Sequence, residues 1–94
     1  MTNIVVTAVF KPKQDQTQTL IQELKKVKIA SREEKGCIQY DLHQSMEDDT
    51  LLIYEVWEDE EAVQEHIVTD HYKTYRENTE DLIESRVVSK YKKI

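Results

Sequence analysis

"YEVWEDEEAVQEHIVTDHYKTY", residues 54–75, holds two of the chain's three histidines, its only tryptophan and three of its five tyrosines. A run this dense in aromatic and titratable side chains is either a chemical site or the seam where a strand meets the helices packed on it. Its pattern changes twice. "LLIYEVW", residues 51–57, is apolar on both alternating faces, as in a strand covered on both sides. Asp59 then suits the cap of a short helix with Ala62, Val63, His66 and Ile67 on one side. "VTDH" breaks that helix. With Thr69 or Asp70 as the next cap, a second helical piece puts Tyr72, Tyr75, Thr79 and Leu82 on one stripe.

Working outward, residues 3–11, "NIVVTAVFK", form another strand apolar on both faces, ended by Pro12. Leu20, Ile21, Leu24, Val27 and Ser31 recur at helical spacing, and Gly36 follows where a helix often ends in a left-handed residue. From Cys37 the period is two, with Ile38, Tyr40 and Leu42 on one face. "SMEDDT" turns the chain into residues 51–57, and "SRVVSKYKKI" closes it as a last strand. The order is strand, helix, strand, strand, helix, strand. This predicts an α+β, ferredoxin-like βαββαβ domain over residues 1–94, a four-stranded antiparallel sheet with helices on one face. Two strands apolar on both faces need a second cover, and another copy of the chain is the simplest one.

Composition narrows the partners. With 19 acidic and 13 basic residues, a net charge of −6 and no basic stripe, the chain is unsuited to nucleic acid or an anionic membrane. A single cysteine forms no intramolecular disulfide, and no segment reads as a signal peptide or membrane span, so the expected setting is the cytoplasm. One glycine leaves no room for a phosphate loop or dinucleotide fingerprint, so no cofactor is expected, and the partner left is a small-molecule substrate.

Glu55 is mid-strand on the face of Ile53 and Trp57, where burial would raise its pKa toward that of a general base or acid. His66 lies on its helix's apolar side. His71 is in the first turn of the next helix, where the electropositive end suits a base or a hydrogen-bond partner. Glu55 with both histidines could supply a metal's ligands, but histidines five apart on a continuous helix diverge by over a quarter turn; the break at "VTD" could restore the geometry, yet no metal site is expected. Tyr72 and Tyr75 read as core with hydroxyls at the edge, Cys37 as a buried thiol, and His43 as exposed.

Glu34, Gly36, Cys37 and Tyr40, then "YEVW" at 54–57 and "HIVTDHY" at 66–72, resemble the antibiotic biosynthesis monooxygenase (ABM) domain family, with Lys35 inserted after Glu34. The resemblance spans essentially the whole chain. It implies two sheets pairing into a dimeric α+β barrel, with a pocket in each subunit between sheet and helices. It also implies oxidation of a small quinol or phenol without metal or flavin. His66 or His71 would be the base, with Glu55 also in the catalytic set. Tyr72 would donate to an oxyanion, and Trp57 and Tyr75 would shape the walls. Isomerases of a phosphorylated signal molecule share "LIYE", "DEEAV" and "HYKT" with this chain, and for them Lys73 would meet the phosphate. Haem-degrading relatives carry a first-strand asparagine where this chain has Val5 or Val6. A barrel that only binds a ligand is the non-enzymatic alternative.

Overall fold

Strand β1 (Ile4–Pro12) uses its two apolar faces differently. In the computed structural model, which describes residues 2–94, Val6, Ala8 and Phe10 enter the core, while Val5, Thr7 and Val9 face the other way and stay partly exposed. Met1, the first residue of the expected domain, lies outside the described residues. The chain continues as α1 (Thr17–Arg32), β2 (Cys37–Gln44), β3 (Leu51–Trp57), α2 (Glu60–His66), α3 (Asp70–Thr79), a 3-10 turn (Glu80–Leu82) and β4 (Ile83–Lys92). The strand order is β2-β3-β1-β4, every neighbouring pair antiparallel, which is the βαββαβ arrangement expected from the sequence.

Register fixes which side chains meet the helices. Val6 pairs with Glu55, Ala8 with Ile53 and Phe10 with Leu51, so β3 turns Leu51, Ile53, Glu55 and Trp57 inward. On the helical side α1 buries Leu20, Leu24, Val27 and Ser31, one face at the 3.6-residue period. Leu20, Leu24, Phe10 and Trp57 have no exposed surface, and each such burial stabilises the fold by about 1.5–3 kcal/mol. Asp59 caps α2 by accepting from the Ala62 N–H at 2.9 Å. Thr69, not Asp70, caps α3, its hydroxyl oxygen accepting from the Tyr72 N–H.

Among the described residues, no element covers the other face of the sheet. Val5, Val9, Leu52 and Tyr54 are partly exposed there, and Val87, paired with Val9 across β1 and β4, is 59% exposed. No helix is long and apolar enough to cross a membrane.

Two local expectations are corrected. Gly36 is not a left-handed cap, since among the described residues the one positive φ belongs to Asp15, at 65°. Its role is close approach: a Cβ on Gly36 would overlap that of Ala62 in α2, while its carbonyl accepts from the Glu58 N–H at 2.9 Å. The turn between α1 and β2 is thereby pressed onto α2. Further along, the register shifts between Cys37 and Gln39, so Ile38 has no partner on β3 and is 55% exposed. Cys37, Tyr40 and Leu42 take the inward positions, because the bulge advances the alternation by one residue. Gly36→Ala is expected to destabilise the fold by about 1–3 kcal/mol, the range for inserting a methyl group where none fits, measured as a lower urea midpoint at unchanged slope.

Candidate active site

Trp57 ends β3 with its indole fully buried, so its N–H needs a partner inside the protein. Glu55, two residues earlier and therefore on the same face, supplies it: Nε1 donates to Glu55 Oε1 at 2.8 Å. The other side of the indole meets the His66 ring, centroids 4.4 Å apart and planes tilted by 36°. Tyr40 and Tyr72 meet the same imidazole edge-on at 6.0 and 5.1 Å. Helix α2 and strand β3 are joined through this aromatic stack.

Beside it, between the inward face of the sheet and helices α2 and α3, lies a cavity of about 150 Å³. Val6, Ala8, Val63 and Val88 give it apolar walls, and Glu55, His66, Tyr72, Tyr75 and Arg86 give it polar groups. At its rim Lys90 of β4 pairs with Glu60 of α2 at 2.6 Å.

Burial pushes the Glu55 carboxyl up to about 7, although the Trp57 N–H and the Arg86 charge favour its ionised form. Burial pushes the His66 imidazole down, against the pull of the Glu34 carboxylate, so the ring is neutral at neutral pH. An acid poised to gain or lose a proton and a neutral base thus face one apolar space.

Arg86 faces the same space, since β4 pairs it with the inward Phe10. Its Nε donates to the Tyr75 hydroxyl at 3.0 Å and an Nη to that of Tyr72 at 3.1 Å. Among the described residues it forms no ion pair with a carboxylate. A cation that donates to two phenol oxygens, beside a Glu55 carboxyl whose ionised form it favours, is suited to an oxyanion. Burial raises the Tyr75 phenol, so it keeps its proton.

Glu34 is the other carboxylate of the site. Its Oε2 lies 2.7 Å from His66 Nδ1 and 2.7 Å from His71 Nε2. These three atoms are within 4.8 Å of one another, so Glu34, and not Glu55, stands with the two histidines. Ligand atoms around a tetrahedral cation, each about 2.1 Å from it, stand roughly 3.4 Å apart. Both 2.7 Å contacts are shorter and have the length of charge-assisted hydrogen bonds.

Of the residues singled out from sequence, Glu55, His66, Tyr72 and Tyr75 line the cavity. Trp57 stands behind the lining and touches three of its residues, His66, Glu55 and Tyr40. His71 opens instead on a second depression, shared with Glu23 and Lys26 of α1. Lys73 is exposed on α3 and outside the cavity lining. The sequence reading gave no role to Arg86 or, beyond its place in a motif, to Glu34. Arg86 alternates with Val87 in a strand whose inward face composition does not reveal, and Glu34 sits in a turn where no periodicity applies.

Comparison with known proteins gives the family and the fold. The family model "Antibiotic biosynthesis monooxygenase" matches residues 3–78, and the chain belongs to that family. It is 31% identical over 80 residues to "Putative monooxygenase Rv0793" of Mycobacterium tuberculosis, covering 85% of this chain and 79% of the relative. It is equally identical over 81 residues to YcnE of Bacillus subtilis, which carries the same descriptive name, with 85% of each chain covered. Among solved structures, PA3566 from Pseudomonas aeruginosa superposes with a TM-score of 0.95 at 27% identity, over 100% of this chain and 96% of that one.

The Glu55 shift has a consequence for stability. The folded acid keeps a proton that the unfolded chain loses near the ordinary value of 4.5, so Glu55 lowers stability progressively from about pH 4.5 to about 7. Across such a shift the loss is about 3 kcal/mol. Glu55→Gln, which keeps an oxygen for the Trp57 N–H, is expected to remove this slope. The variant should be more stable than the parent at pH 8 by up to about 3 kcal/mol, with the advantage vanishing near pH 4, as urea denaturation at the two pH values would record.

Proposed function

We propose that the protein is a cofactor-independent, ABM-type monooxygenase acting on a small quinol or related phenol. The observation that carries this reading is the convergence of a neutral imidazole, His66, and a cation without a carboxylate, Arg86, on one apolar cavity. A phenol needs both: a base to remove its proton and a positive group to hold the resulting oxyanion. A space of about 150 Å³ also suits a single aromatic ring, since an apolar cavity of about that volume takes up benzene.

In this mechanism the phenol oxygen lies toward Arg86 and the hydroxyls of Tyr72 and Tyr75. His66 takes the phenolic proton, and the electron-rich ring reacts with dioxygen at carbon. The O–O bond then breaks. One oxygen atom stays on the ring carbon, the other leaves as water with the proton held by His66 and the proton lost from that carbon, and the ring ends as a quinone. Dioxygen is the oxidant and the substrate supplies all four electrons. Glu55, with a pKa near 7, serves as a second proton donor or acceptor in the same space.

The functional unit in this reading is a cytoplasmic homodimer of single-domain chains, paired through the uncovered face of the sheet. Its support is the row of apolar side chains on that face, from Val9 and Leu52 to Val87. Isomerisation of a phosphorylated ketone has less support, because Lys73, its phosphate-binding candidate, is exposed outside the cavity lining.

Metal-free protein is expected to consume dioxygen with monocyclic quinols in an oxygen-electrode assay. His66→Ala should slow this by about 10²–10⁴-fold, and Arg86→Leu by about 10²–10³-fold. No uptake across a quinol panel by folded protein would overturn the reading. Solvent deuterium entering a phosphorylated ketone without uptake would favour the isomerase, and ligand binding without either reaction would favour the binding module. Separately, sedimentation is expected to give twice the chain mass at micromolar concentration, and Val87→Glu should shift the protein toward monomer.

A further inference from the structure

His66 can act as a base only if its free nitrogen is the one turned to the substrate, and its own helix does not decide this. The ring is held by contacts from three directions: Trp57 against its face, Tyr72 edge-on, and Glu34 at Nδ1. Only the last distinguishes the two nitrogens. A contact of 2.7 Å between a nitrogen and a carboxylate oxygen requires a proton between them. Glu34 Oε2 makes two such contacts, with His66 Nδ1 and His71 Nε2, and an ionised carboxylate has no proton to offer either. Both protons therefore sit on the rings. His66 carries its proton on Nδ1, and its lone pair is on Nε2. His66 lines the cavity and Glu34 does not, so the ring edge turned to the cavity is the one opposite the Glu34 contact.

We propose that Glu34 is a positioning residue for His66: its carboxylate fixes the Nδ1–H tautomer and so leaves Nε2 as the basic atom facing the substrate, while His71, on the same oxygen, holds that carboxylate in place. This rests on the reading of His66 as the base and assigns roles to two residues that touch no substrate. Local folding supports the arrangement. Glu34 is tied by its N–H to the Ser31 carbonyl and by its carbonyl to the Cys37 N–H, and Gly36 presses the same turn onto α2. Glu34 is thus fixed from both ends of the turn, and its side chain is 15% exposed.

Other groups around the cluster bear on its pH response. Glu23 and Lys26 of α1 flank His71. Cys37 and Tyr40 of β2, Glu55 of β3 and Tyr72 of α3 surround the His66 side. Of these, Glu34 and His71 act most directly on His66, the carboxylate favouring its charged form and the second ring opposing it.

The test is long-range proton–nitrogen NMR of the histidine rings in the intact protein, with no substrate present. The parent is expected to show His66 as a single Nδ1–H tautomer wherever it is neutral. Glu34→Gln, whose amide offers an oxygen to one ring and an N–H to the other, should give a mixed or reversed tautomer. Glu34→Asp should restore the parent tautomer in part, and Glu33→Gln, at an exposed neighbour, should change nothing. In turnover, Glu34→Gln should lower kcat by about 10²–10⁴-fold with little change in KM, as when a triad carboxylate that orients a histidine is neutralised. The limb of the pH profile set by His66 should move to lower pH, because the charge favouring the imidazolium is gone.

An Nε2–H tautomer in the parent would overturn the proposal, as would a tautomer unmoved in Glu34→Gln. One tightly bound divalent metal ion per chain in the purified parent, lost in Glu34→Gln, would overturn it in favour of metal binding. If Glu34→Gln fails to fold, the parent tautomer alone decides. The ring spectra need no turnover, so the expected tautomer in a protein that oxidises no quinol would sink the oxygenase reading and leave the positioning role standing.

Discussion

The indole N–H of Trp57 is the constraint around which the site is arranged. A fully buried tryptophan must satisfy one donor, and the strand geometry puts the residue two positions away on the same face. Glu55 fills that place, which brings a carboxyl group into the core and desolvates it enough to hold a proton near neutral pH. The opposite side of the indole gives His66 a flat, apolar surface to lie against. Desolvation moves the two groups in opposite directions, the acid up to about 7 and the imidazole down from its ordinary value. The tryptophan thus touches both groups, which strand register and the apolar side of α2 turn inward.

Arg86 supplies what this pair lacks. An imidazole and a carboxyl group in an apolar cavity can move a proton but offer no positive group to hold an oxyanion. The guanidinium is charged whatever its partners; the Tyr72 and Tyr75 hydroxyls accept two of its hydrogen bonds, and among the described residues no carboxylate forms an ion pair with it. The tyrosines belong to α3 and the arginine to β4, so the cavity's positive end depends on the helix lying across the sheet edge.

Element order, the faces of β1 and β3, the Asp59 cap and the choice of Thr69 or Asp70 for the next cap were legible in the sequence, because each rests on a local rule. Apolar alternation marked β1 and β3, a 3.6-residue stripe marked α1, and Asp59 and Thr69 stood where caps were needed. Glu55 was legible for a related reason: a carboxylate in phase with Ile53 and Trp57 must face the core. What was not legible depends on distant contacts. The role of Gly36 is set by Ala62, which is 26 positions away, and the bulge at Ile38 by its register with β3. Arg86 and Glu34 become part of the site only when β4 pairs with β1 and the α1–β2 turn closes on α2.

The break between α2 and α3 removes the objection that the spacing of the two histidines raised against a shared site. On an unbroken helix, histidines five residues apart point more than a quarter turn away from each other. Here α2 ends at His66 and α3 begins at Asp70. The Thr69 hydroxyl donates to the His66 carbonyl at 2.7 Å and its oxygen accepts from the Tyr72 N–H, stopping one helix and starting the next. That change of direction lets Nδ1 of one ring and Nε2 of the other reach a single oxygen of Glu34. It also turns Tyr72 toward the cavity while His71 stays outside it. Two neighbours in sequence are thus divided between the substrate space and the support behind it, and one threonine side chain sets the division.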